Sequence, residues 1–192
     1  MHRLSAVLLL ACIEQETPAP TAEDLEIARR DILSVEPSPR FRVNAELEDK
    51  LVYLGMDVDP AKASAGKTLK LTHYWKVKQP VGEDWKLFVH LGGPRSGAYV
   101  NADHAPLRGR YPVSYWKARE IIRDQHTVSL PARWPAADVD VYVGMWKGPQ
   151  RLKVVKGPSD GDNRVLAGKV PLLGAGATPA TRYIARRATG PI

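Results

Sequence analysis

From Phe41 onward, apolar and polar residues alternate in short runs, and each run is closed by a turn signal. Phe41, Val43, Ala45 and Leu47 alternate with polar neighbours, and Val52, Leu54, Met56 and Val58 repeat the pattern after Glu48-Asp49-Lys50. PAKASAG (60–66) then interrupts the chain. In TLKLTHYWKVK, Leu69, Leu71, Trp75 and Val77 fall on one face, opposite Lys70, Thr72, Lys76 and Lys78. A period of two belongs to a strand with one dry and one wet side. WKLFVHL (85–91) is apolar on both faces, which places it centrally in a sheet. Further strands are expected at 121–130, 138–146, 151–155 and 164–172. With 16 Pro and 15 Gly dispersed over 192 residues, turns are favoured over long helices. The expected fold is all-β, an antiparallel immunoglobulin-like β-sandwich of about 7–9 strands over residues 41–173. A second sheet must cover the apolar face of the first, because the body has no helical pattern to do so.

The N-terminal segment follows a different logic. MHRLSAVLLLA (1–11) has a positive start, a short apolar run and a small final residue, the layout of a signal peptide. Leu9-Leu10-Ala11-Cys12 resembles the lipobox of bacterial lipoproteins, and Cys12 is the sole cysteine. The resemblance implies cleavage before Cys12, a diacylglycerol on its sulfur and an acyl chain on the new amine. Each buried acyl methylene contributes about 0.8 kcal/mol, so several chains hold a protein durably on a membrane. Ile13 rather than Asp after the cysteine points to the outer membrane or cell surface. An ordinary signal peptide, or a misplaced start with an incidental cysteine, is the alternative. No apolar stretch approaches the ~20 residues of a spanning helix.

Residues 12–40 are expected to be a lipidated tether. Residues 13–20 are polar and Pro-containing, the composition of a spacer. A short helix is expected at about 22–34, capped by Thr21, with Glu23 and Asp24 in its first turn and stopped by Pro37 and Pro39. Leu25, Ile27, Ala28, Ile32 and Leu33 would form its apolar stripe.

A second resemblance runs through the body. Tyr74-Trp75, Phe88-Val89-His90-Leu91, Asp103-His104-Ala105-Pro106, Tyr111-Pro112, Trp116, Glu120, Asp124, Leu130-Pro131 and Val143-Gly144 form the pattern. It resembles β-sandwich domains fused behind membrane-embedded glycosyltransferases, and free-standing lipoproteins of similar layout. That implies an envelope setting and no particular catalytic residue. The chain departs from the pattern at Ala118-Arg119, where a glycine usually precedes the acid, which puts the form of that turn in question. After the GAGATPA linker, TRYIARRATGPI resembles the lead-in strand of a family 9 carbohydrate-binding module. Residues 174–192 are therefore either a basic tail or the start of a further domain.

The candidate site residues fall into two sets. Tyr99, Tyr111, Tyr115, Trp116 and Trp134 lie in expected loops or strand edges. There, aromatic faces either stack on sugar rings or plug the ends of the sandwich. His90, Asp103, His104, Glu120 and Asp124 form a candidate structural polar cluster. His90, Asp103 and His104 have donor types that suit zinc but lack a tight ligand spacing, so no metal is assigned. Asp103 and Glu120, with Asp124, offer carboxylates of the kind glycosidases pair. Acids at strand ends more often cap turns or pair with arginines such as Arg108, Arg110 or Arg123. No GxSxG elbow is present, and Gly92-Gly93 and Gly97 precede no helix, so neither a serine hydrolase nor a dinucleotide loop is indicated.

The net charge is +7, and losing Arg3 with the signal peptide leaves 27 − 21 = +6. These charges are scattered and lack a nucleic-acid-binding motif, so nucleic acid is not expected as a partner. No cofactor is implied. The sequence thus reads as a non-catalytic, lipid-anchored protein of the bacterial cell envelope, attached through its lipid and binding or scaffolding a polysaccharide or envelope partner. An accessory subunit of a membrane protein complex is the alternative, and a carbohydrate-active hydrolase the second.

Overall fold

The computed structural model describes residues 17–92 and 97–173. Cys12 and the basic segment 174–192 lie outside the described residues. Among the described residues, ten strands, numbered in chain order, build two antiparallel sheets. The first contains β1 (Phe41–Leu47), β2 (Leu51–Asp59), β3 (Thr68–Val77), β6 (Ile121–Ser129) and β9 (Val154–Lys156), in the order β6-β3-β2-β1-β9. The second contains β4 (Lys86–Leu91), β5 (Val100–Asn101), β7 (Asp138–Lys147) and β10 (Val165–Pro171), in the order β10-β7-β4-β5. β8 (Gln150–Arg151) pairs with β7. The all-β sandwich is therefore present, with short strands carrying the count past the seven to nine expected.

The dry faces read from the sequence meet between the sheets. Leu69, Leu71 and Trp75 are fully buried, as are Val89, Leu91, Val141 and Val143 opposite them. Burying such a Leu or Val contributes about 1.5–3 kcal/mol, the main force holding the layers together. β4 lies between β7 and β5, in the interior position its two apolar faces required.

RLKVV, expected as one strand, is divided between the two sheets. Arg151 pairs with Trp146 of β7, while Val154 pairs with Leu47 of β1. Buried Leu152 sits at the crossing point. At Gly55 the β2 register shifts against β3. Gly55 has φ +141°, and a Cβ there would lie 2.1 Å from the Phe41 carbonyl oxygen, so only glycine fits.

Helix α1 (Ala22–Ala28) begins at Thr21 as expected. The Asp24 amide donates to Thr21 Oγ1 at 3.1 Å, and the Thr21 amide donates to Asp24 Oδ2 at 3.1 Å. The helix is shorter than expected: one 3-10 turn follows at Arg29–Asp31, and the chain then extends. Ile32 bridges Ile122, and the Leu33 amide donates to the Ile121 carbonyl at 2.8 Å. Pairing with the exposed edge of β6 satisfies backbone groups that further helix would leave open. This part of the expected tether is docked on the body, held also by Arg110 to Asp24 (3.0 Å) and Arg123 to Asp31 (2.9 Å).

Candidate functional site

A groove of about 620 Å³ lies on the outer side of the second sheet. Alternation along β4 directs Leu87, Val89 and Leu91 into the core, so Phe88 and His90 face outward and floor the groove. Gly144, opposite Phe88 in β7, makes room for the ring, since a Cβ there would lie 2.5 Å from Phe88 Cζ. The β7–β8 hairpin supplies Trp146, Gly148, Gln150 and Arg151, and the segment before β10 supplies Gly161, Asp162 and Asn163. Arg151 stacks over the Phe88 ring at 5.2 Å and donates to the Asp162 carbonyl at 2.9 Å. Lys86 stacks over Trp146 at 5.4 Å. Tyr99 meets His90 edge-on with ring centres 5.3 Å apart, and it is 56% exposed. Burial pushes the His90 imidazole below its ordinary value; Asp103 opposes this while Arg164 and Arg151 reinforce it. The groove thus joins aromatic surface to amide, carboxylate and guanidinium groups.

A separate cluster sits where the chain crosses from β5 to β6. Register pairs His73 with Asp124 and Leu71 with His126, so both histidines and the aspartate share the inward face of the first sheet. His104 reaches them from the connection leaving the second sheet. Its Nε2 lies 2.7 Å from Asp124 Oδ2, and the Leu107 amide donates to Asp124 Oδ1 at 2.9 Å. The His104 and His126 rings are 3.7 Å apart, and His73 stacks on His126 at 5.3 Å. His73 Nδ1 is 2.8 Å from the Tyr53 hydroxyl.

Burial favours neutral rings here and sets His73 at about 4, against an opposing pull from Asp124. Burial, aided by His73 and His104, sets His126 at about 3. Burial also pushes His104 down, but the bond to Asp124 and its charge prevail and raise it. Asp124 is pushed up by burial, yet His104 and the Leu107 amide hold it below the ordinary carboxylate range.

The five residues expected to form one polar cluster are divided into three groups. His90 Nε2 approaches Asp103 Oδ1 at 3.5 Å, and Asp103 is fixed by the Val89 amide at 2.9 Å. His104 and Asp124 join the inward cluster. Glu120 accepts from the Tyr111 hydroxyl at 3.0 Å and from the Lys117 amide at 2.8 Å. Asp103, Glu120 and Asp124 thus serve separate partners, and Asp124 is fully buried.

The aromatic set needs correction. Tyr111, Trp116 and Trp134 are buried and belong to the core, so they present no face to a ligand. Trp116 donates to the Tyr111 carbonyl at 3.0 Å and packs against Trp75 at 6.4 Å, while Trp134 donates to the Asp138 carbonyl at 3.0 Å. Satisfying the indole N–H on nearby backbone is what lets these rings close the sandwich. Tyr115 is half-buried against the same core. Only Tyr99 of the set is exposed. Phe88, Trp146, His73 and His126 are not among the candidate site residues read from the sequence. His73 and His126 had a signal nonetheless, as polar residues at odd and even positions that alternation assigns to dry faces.

At the departure from the family-like pattern, Arg119 has φ +75°, the left-handed form that favours glycine. The turn therefore keeps the backbone conformation that favours the absent glycine. Comparison with protein-family models gives no match, and comparison with curated proteins gives none either.

Proposed function

We propose that the chain is a lipid-anchored protein of the bacterial cell envelope whose sandwich binds a carbohydrate polymer without turning it over. The observation that supports this reading is the groove on the second sheet, where Trp146 lies beside Asp162, Asn163, Gln150 and Arg151 and exposed Tyr99 meets the lining residue His90 edge-on. Sugar rings combine apolar faces with hydroxyl rims, and such a mixed lining suits both. Anchoring rests on the lipobox-like Leu9–Cys12 segment, and it would hold the sandwich within reach of envelope glycans. Docking to a membrane protein through a free sheet edge has less support. β6 is met at Ile122 by Ile32, β10 at Val165 by Ser159, and Leu172, just past β10, by Ala63.

Two experiments test the reading. The chain carrying Cys12→Ser is applied to an array of envelope glycans. Retention that disappears in Trp146→Ala and Asp162→Ala supports it, and a single protein partner with no glycan signal contradicts it. Metabolic palmitate labelling should mark the unaltered chain and not Cys12→Ser.

A further inference from the structure

We propose that His104, Asp124 and His126 form a binding site for a divalent transition-metal ion of the zinc type. One ligand atom from each lies within 4.8 Å of the other two. The hydrogen bonding selects the required form of His104. Its Nδ1 is 3.1 Å from the Ala102 carbonyl, which only accepts, so Nδ1 carries a hydrogen. Nε2 then directs a lone pair at a carboxylate oxygen 2.7 Å away, and two electron-rich atoms at that distance need a cation between them. A proton fills the role in the imidazolium form; a metal ion, with bonds of about 2.0–2.2 Å to each atom, takes its place once the two side chains part by roughly half an ångström. A ring N–H bonded to a backbone carbonyl with the other nitrogen on the ion is the usual arrangement of a metal-ligating histidine.

His126 points to the metal rather than the proton alone. Both its ring nitrogens are buried and without a hydrogen-bond partner among the described residues, which native interiors seldom tolerate. A metal bond satisfies one of them. Two imidazoles and a carboxylate are borderline donors that suit zinc, and three protein ligands leave a fourth position for an exchangeable group. A cleft of about 450 Å³ lined by His104, His126, Lys70 and Arg108 gives access from outside. Its two cations favour an anion in the fourth position. Protons compete with the ion for the ring nitrogens of His104 and His126, so uptake falls as pH drops.

The test uses the full chain with Cys12→Ser, so that no thiol competes, freed of metal by a chelator and titrated with Co²⁺ and then Zn²⁺. The site requires one equivalent bound, with cobalt d–d absorption that Zn²⁺ abolishes. His126→Gln weakens binding by more than about tenfold, whereas His2→Gln and His90→Gln leave it unchanged. Far-UV circular dichroism checks that the variants fold. Zinc-edge X-ray absorption on the loaded chain counts two imidazole ligands with no substitution at the site. Absence of stoichiometric binding, binding intact in His126→Gln, binding lost in His90→Gln, or a spectrum without two imidazoles overturns the proposal.

Discussion

His104 Nε2 stands 2.7 Å from Asp124 Oδ2, and this contact ties the connection leaving the second sheet to the edge strand of the first. Asp124 is fully buried and also accepts from the Leu107 amide, so its carboxylate holds two points of the crossing. Asp124→Ala strands an imidazole and an amide together, and a loss of about 3–5 kcal/mol in urea unfolding is expected. A loss below 1 kcal/mol contradicts the role given to the pair.

Arg119 occupies a left-handed turn between Trp116 and β6, with its amide donating to the Val77 carbonyl at 2.8 Å. A side chain in that conformation costs about 1–2 kcal/mol, which glycine avoids. Glycine gives part of this back through the entropy of the unfolded chain. Arg119→Gly should therefore raise stability by roughly 1 kcal/mol in the same assay.

Trp116 and Trp146 separate core from groove. Trp116→Ala empties the space beside Trp75 and should cost about 3–5 kcal/mol. Trp146→Ala removes a half-exposed ring and should change stability by less than about 1 kcal/mol while weakening glycan retention. Chemical denaturation of both variants reads the difference.

His73 and His126 titrate far below their ordinary value of 6.5, at about 4 and about 3. Above pH 6.5 both are neutral folded or unfolded, and their stabilising effect is complete. As pH falls below 6.5 the unfolded chain takes up protons first, and stability drops progressively through the folded values. His104, whose value is raised, changes stability only above 6.5, where its contribution is lost as pH climbs. Urea midpoints in chelator should therefore decline between pH 6.5 and 4.5, and less steeply in His126→Gln. A flat profile over that window contradicts the burial of these rings as neutral groups.

Much of the sandwich was legible because strand alternation follows directly from the two-sided geometry of a sheet. Leu69, Leu71, Trp75 and Val77 are dry as their spacing required. The division of RLKVV was not legible, since which sheet accepts a strand depends on partners remote in sequence. The fate of Trp116 turned on a 3-10 turn at Val113–Tyr115 that folds the ring inward, and nothing in its neighbours signals that turn. His104 meets His126 only because of a chain crossing and the β3–β6 register. The groove is not legible in the sequence because Phe88 and Trp146 read as ordinary strand residues until Gly144 and the 148–163 segment give them a concave setting.

Carbohydrate binding in the groove is tested most directly by titrating ¹⁵N-labelled chain with fragments of envelope glycan. The indole signal of Trp146 and the side-chain amide of Asn163 should shift saturably, while the indoles of buried Trp116 and Trp134 stay in place. No shift at any glycan concentration, or shifts confined to residues outside the groove, would contradict it.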